Sequence, residues 1–269
     1  MQCGGNGNIP SVFVASDPDG ALSMPKGAYA TDTTTGIVYR NEDGATKWWP
    51  VFIPPRMGFI LFCDFIGSGG GSGLGQTLAG TGAAAFGGDL GLPGYIQASV
   101  AAVSDAVSLR GANAANTFNL GNAKTWLEAR VVITTAEDGT NRFSTRVGFG
   151  DADAADFTDG AYFESSLAGN ASANWFRCTA NNGTRTKTDT GVAPVAGTYQ
   201  RLRIKVNAAG TSVDFEIDGV SVGSNTTNIP KTSGRESGIA FQSIKTLGTT
   251  ARTSRLDYVD MAQVFTAAR

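Results

Sequence analysis

The chain has 269 residues, a formal charge of −2 and no histidine. That balance offers no basic footprint for nucleic acid, and the missing imidazole excludes Ser–His and Cys–His nucleophiles and the usual zinc ligand sets. Charged residues are only 16% of the chain while glycine fills 36 positions, a mixture that suits short strands and tight turns rather than helix bundles.

The opening MQCGGNGNIP has neither the basic nor the apolar part of a secretory signal, so the expectation is a soluble product assembled in a cytoplasm. Residues 1–55 read as short strands, Ile37–Tyr39 and Trp48–Phe52, between turns at Thr35–Gly36 and Asp43–Gly44. So small a segment has little core of its own and is expected to dock or oligomerise. Tyr29, Tyr39, Trp48 and Trp49 are the candidate docking residues, since adjacent tryptophans on a strand point to opposite faces and one can anchor a partner. Pro54–Pro55 makes a stiff boundary to a second domain, 56–269.

The run MGFILFC at 57–63 is too short to span a bilayer, and no membrane insertion is expected. Cys63 reads as a small buried hydrophobe; with Cys3 and Cys178 it forms neither a metal motif nor a complete disulfide framework. Between Gly67 and Gly94 the Gly- and Ala-rich composition predicts a flexible surface loop, without the Gly-Lys-Ser/Thr ending of a phosphate-cradling loop. The stretch AAVSDAVSL, 101–109, is the sole helix candidate. Farther on, alternation dominates: Leu127, Ala129, Val131 and Ile133; Phe143, Thr145, Val147 and Phe149; Leu202, Ile204 and Val206; Val213, Phe215 and Ile217. Many short strands with one apolar face each predict an all-β chain, two antiparallel sheets packed as a sandwich. Asp218–Gly219 is the strongest hairpin signal.

In TSVDFEIDG the acids Asp214, Glu216 and Asp218 share one strand face, as a hydrolase would need. Matching apolar residues across the hairpin at Asn207–Gly210 sets Lys205 against Asp214, Arg203 against Glu216 and Arg201 against Asp218. An arginine opposite an acid holds it ionised, whereas a glycosidase needs one carboxyl raised in pKa. The reading is therefore a solvated, charge-paired face with no catalytic residues.

Two further features could carry chemistry. Asp151, Asp153, Asp156 and Asp159 crowd one loop and could offer oxygen ligands to calcium, though an ordinary acidic turn fits their spacing better. Trp175 with Asn181 and Asn182 of TANNGT could contact a carbohydrate if exposed, although sandwich cores use the same aromatics.

The motifs DG-x-YF at 159–163, Asn174–Trp175 with T-x-TDTGV at 186–192, Y-x-x-L-R-I-x-V at 199–206, F-x-IDG-x-x-VG at 215–223 and LDYV at 256–259 go together. In them the chain resembles concanavalin A-like (LamG-like) lectin/glucanase domains of bacteriophage virion structural proteins, over roughly residues 57 to 265. The resemblance implies a jelly-roll sandwich and a non-catalytic virion role, as head decoration, fibre or tail component. It also implies partners among other capsid or tail proteins, homo-oligomers and often trimers, and contact with host-surface glycans. The Glu-x-Asp-x-x-Glu strand of the hydrolytic branch is missing, and without histidine the calcium–manganese site of the plant-lectin branch cannot be carried over. No cofactor is expected beyond the calcium considered above. A carbohydrate-binding module is the second reading and a glycoside hydrolase the third.

Overall fold

The computed structural model describes residues 9–65, 74–89, 92–111 and 117–268. It divides into two compact units, one of residues 1–60 and 262–269, the other Leu61–Met261. Every regular element among the described residues is a strand.

The smaller unit is a four-stranded sheet in chain order: β1 (Ser11–Val14), β2 (Tyr29–Asp32), β3 (Val38–Asn41) and β4 (Trp48–Phe52). β1 runs parallel to β2 and the other pairs are antiparallel. Its inner row, Val12–Ala30–Tyr39–Pro50, follows from the register. Tyr39 and Trp48 are fully buried and Trp49 nearly so, with the Trp48 indole donating to the Leu22 carbonyl at 2.8 Å. This corrects their expected role: Tyr39, Trp48 and Trp49 make a core rather than an anchor, while Tyr29 is half-buried. The exposed aromatics are Phe13 and Phe52, at the ends of the row Phe13–Thr31–Val38–Phe52 on the opposite face.

The larger unit is the sandwich that alternation predicted. One sheet runs β17 (Val220–Asn225), β16 (Val213–Ile217), β15 (Gln200–Val206), β10 (Ala123–Ile133), β19 (Arg252–Phe265), β8 (Leu92–Val100) and β7 (Ala83–Asp89). β5 (Gly58–Asp64) pairs β19 beside that path. The other sheet runs β14 (Thr184–Asp189), β13 (Phe176–Asn181), β12 (Gly160–Ser165), β11 (Arg142–Gly150), β18 (Gly238–Leu247), β9 (Ala106–Gly111) and β6 (Leu74–Ala79). Inward residues of both meet in the core, where the Phe163 ring stands edge-on to Phe215 at 5.1 Å and to Trp175 at 6.4 Å.

The loop expectation fails here, and the sole helix candidate does not form. The Gly- and Ala-rich stretch supplies three strands, β6, β7 and the start of β8, while residues 66–73 and 90–91 lie outside the described residues. Its small residues let neighbours approach closely. The Tyr95 ring fills the space a Cβ on Gly87 would need, at 2.6 Å. The helix candidate is instead a turn entering β9. Asp105 fixes that turn, accepting from the Thr81 amide and hydroxyl and the Ala102 amide, each at 2.7 Å, and from Ala101 at 3.1 Å. These donors lower its pKa to about 2 against the opposing effect of burial.

Candidate functional site: the outer faces of the two sheets

The predicted hairpin register holds: Leu202 faces Ile217, Arg203 faces Glu216, Ile204 faces Phe215, Lys205 faces Asp214 and Val206 faces Val213. Asp218 and Gly219, both at positive φ, close the next hairpin, and the Arg201 amide donates to the Asp218 carboxylate at 2.8 Å. The expected solvation fails. Arg203, Glu216 and Glu128 are buried. Arg203 donates twice to Glu128, at 2.6 and 2.9 Å, and lies 3.8 Å from Glu216, whose other oxygen is 3.9 Å from Lys205. Lys205 thus reaches the diagonal acid Glu216 in addition to facing Asp214.

The neighbouring strand β19 completes this face. Its inward residues Ser254 and Leu256 resume at Val259 and Met261, all buried, so two consecutive residues fall between inward positions, as at a β-bulge. Both of those residues reach partners on the outer face: Asp257 takes Arg130 at 2.7 Å, and the Tyr258 hydroxyl donates to Glu128 at 2.6 Å. Burial and the Glu128 charge push the Tyr258 phenol well above its ordinary value, so it stays a donor. Phe62 lies 5.9 Å from the Tyr258 ring, and the Arg130 guanidinium lies over Tyr199 at 4.7 Å. On the same strand, Arg255 covers Tyr95 at 4.3 Å and donates to the side-chain amide oxygen of Gln97 at 2.9 Å.

The outer face of the second sheet lies under the acidic loop. Phe157 seats on Tyr162, Phe176, Cys178, Ala180 and Ala240. The Gln242 amide donates to the carbonyls of Ala152, Asp153 and Ala155 at 3.0–3.1 Å. Each of the four aspartates is engaged by protein. Asp151 accepts from the Thr158 amide and hydroxyl, and Asp153 meets Arg110 at 3.4 Å. Asp156 bridges Arg146 and Arg185, and Asp159 takes the Asn182 amide at 2.8 Å and Arg235 at 3.4 Å. The loop is therefore tied to the sheet rather than built around an ion, and among the described residues no group of three or more His, Cys, Asp or Glu could hold a metal. Asp151, Asp153, Asp156 and Asp159, considered above as calcium ligands beside the favoured reading of an acidic turn, each take a protein partner.

Beneath the loop Glu164 is enclosed, with Arg146 at 2.6 Å on one oxygen and Lys187 at 2.6 Å on the other. Burial opposes its charge, but the two cations outweigh burial and hold its pKa below the ordinary carboxyl range. The carbohydrate candidates do not converge. Trp175 is fully buried, its indole donating to Gln200 at 2.8 Å, so its face is closed to a sugar. Asn181 ends β13 half-buried, and Asn182 is an exposed turn residue at φ 53°.

Glu137 was not singled out by sequence. It lines a cavity of about 60 Å³ with Ile133, Ala136, Ser165, Ala173 and Pro194. Its oxygens accept from the Leu167 amide at 3.0 and 3.1 Å and from the Phe143 amide at 3.2 Å. Burial raises its pKa to about 7 in spite of these donors and of Arg142 and Arg252. No second acid lines this partly open pocket. Glu128, Arg130 and Glu164 were also missed, although strand alternation would have assigned the first two to the outer face beside Leu127 and Ala129.

Solved structures share this architecture. The protein SO2946 of Shewanella oneidensis MR-1, of unknown function, matches with a TM-score of 0.61 at 12% identity, over 80% of this chain and 90% of its own. Winged bean acidic lectin, complexed with methyl-α-D-galactose, matches at 0.54 and 8% identity, over 77% and 98%. The conserved carbohydrate esterase vb_24B_21 of Shiga toxin-encoding bacteriophage phi24B matches at 0.50 and 13%, over 77% and 98%. No curated protein matches. Residues 95–257, more than half of the chain, match the family model described as SO2946-like, C-terminal domain, and the chain belongs to that family.

Proposed function

We propose that this chain is a non-catalytic bacteriophage virion protein, a head or tail component whose sandwich meets host-surface glycans and whose N-terminal sheet attaches or oligomerises it. The observation that carries the non-catalytic part is the pairing of acids with cations on both sheet faces. Glu164 lies between Arg146 and Lys187, Glu128 is held by Arg203, and Asp257 by Arg130. Hydrolysis of a glycoside needs one carboxyl kept protonated opposite a second that attacks or activates water. Glu137, whose pKa is raised toward neutrality, has no second acid beside it in the pocket that it lines. The likeness to a sugar-bound lectin and to a phage carbohydrate esterase supports glycan contact and a phage setting. The exposed row ending in Phe13 and Phe52 supports attachment through the small sheet.

The test pairs a glycan array with assays for released reducing ends, unsaturated sugars and acetate on the same glycans. Binding without product formation is expected. Turnover that Glu164→Gln or Glu128→Gln abolishes would overturn the non-catalytic reading, and virions that incorporate the chain without residues 1–55 would overturn the attachment role.

A further inference from the structure

We infer that the outer face of the β19 sheet carries a binding site for neutral, pyranose-containing oligosaccharides, centred on Phe62 and Tyr258. This rests on the glycan-contact reading above and assigns it a place.

A pyranose presents an apolar C–H face and a rim of hydroxyls, so it calls for an aromatic surface flanked by fixed donors and acceptors. Phe62 is 59% exposed and tilted only 35° from the half-buried Tyr258 ring. An exposed phenylalanine packed beside a tyrosine provides the apolar surface. The polar groups that meet a ligand here are the half-buried Tyr258 and the partly exposed Arg130, both held from beneath by buried partners on the same sheet. The Tyr258 hydroxyl is tied to Glu128, Glu128 to Arg203, and the partly exposed Arg130 to Asp257 and the Tyr199 ring. Each of these groups is oriented by protein before a ligand arrives, which lowers the ordering cost of binding. Asp257 and Tyr258 are consecutive on β19, and both reach partners of β10 on this face.

Charge selects the ligand class. Beside the aromatic pair, Arg130 and Arg203 each already hold a carboxylate, so the centre of the site offers balanced donors and acceptors rather than an uncompensated cation for a uronate or sulfate, while the exposed Arg201 stands farther out, opposite Arg130.

The experiment titrates the full chain and its Phe62→Ala variant with neutral oligosaccharides and with uronate-containing and sulfated ones. Phe62 is largely exposed, so the variant should keep its melting temperature. Binding of a neutral oligosaccharide that falls roughly ten-fold or more in the variant is the expected result. Arg130→Gln should weaken the same ligand, with a matching loss of discrimination among hydroxyl epimers. Undiminished binding by Phe62→Ala would overturn the site and leave glycan contact standing. Binding confined to acidic glycans would overturn the ligand class, and no binding by the parent chain would overturn both this site and the reading beneath it.

Discussion

Glu137 is a single residue whose chemistry departs from that of a free carboxyl. Its carboxyl is raised from 4.5 to about 7 by burial, while amides of Leu167 and Phe143 pin it from two sides. The folded state therefore holds this proton more tightly than the unfolded chain. The associated stability is fully present below pH 4.5 and is lost as pH rises through about 7. Glu137→Gln keeps an acceptor for the amides without the charge. Thermal melts of both proteins at pH 5 and pH 8 should show the variant gaining on the parent at the higher pH; equal differences at both values would contradict the assignment. Nothing around Glu137 in the sequence signals this, because the donors from Leu167 and Phe143 and the apolar cover from Pro194 come together only in the fold.

At the scale of elements, the acidic loop and the strand beneath it act together. Arg146 joins β11 to Glu164 of β12, to Gln242 of β18 at 2.6 Å and to Asp156 of the loop, so one guanidinium ties three strands and a crossing segment. Removing it leaves Glu164 enclosed with Lys187 alone. Arg146→Ala is expected to cost about 3–5 kcal/mol, as for breaking a buried pair, measured by urea unfolding. Amide exchange at residues 151–159 should also speed up, as the loop loses an anchor. A loss below about 1 kcal/mol would mean that solvent already screens the pair. The loop's composition announced its acids but not their purpose. Asp151, Asp153, Asp156 and Asp159 look like ligands when counted along the chain, whereas Asp153, Asp156 and Asp159 take Arg110, Arg146, Arg185 and Arg235 from four separate segments.

For the whole molecule, the open question is what the exposed row of the small sheet meets. Phe13 and Phe52 expose 78% and 52% of their surface on a face whose reverse is already filled by Ala30, Tyr39 and Trp48. In the proposed homo-oligomer this row is covered by other copies. Sedimentation velocity of the full chain should then show self-association, and Phe13→Ser with Phe52→Ser should return it toward the monomer without lowering the melting temperature. A parent chain that sediments as a monomer would remove self-association as the purpose of that face.

The all-β class, the sandwich, the Asp218–Gly219 turn and the pairing of β15 with β16 were all legible in the sequence, for one reason. Strand side chains repeat every two residues, so a run such as Leu202, Ile204 and Val206 specifies both its inner face and the register that buries it. That local rule says which way a side chain leaves the strand but not what lies above it. Only the tertiary structure decided that Arg203 and Glu216 are enclosed, that Trp175 faces the core, that the Gly- and Ala-rich stretch pairs as strands, and that Asp257 and Tyr258 reach partners beside Phe62. Burial, and ion pairing beyond the hairpin partners that alternation itself sets side by side, depend on contacts between residues far apart in the chain, and no local pattern encodes them.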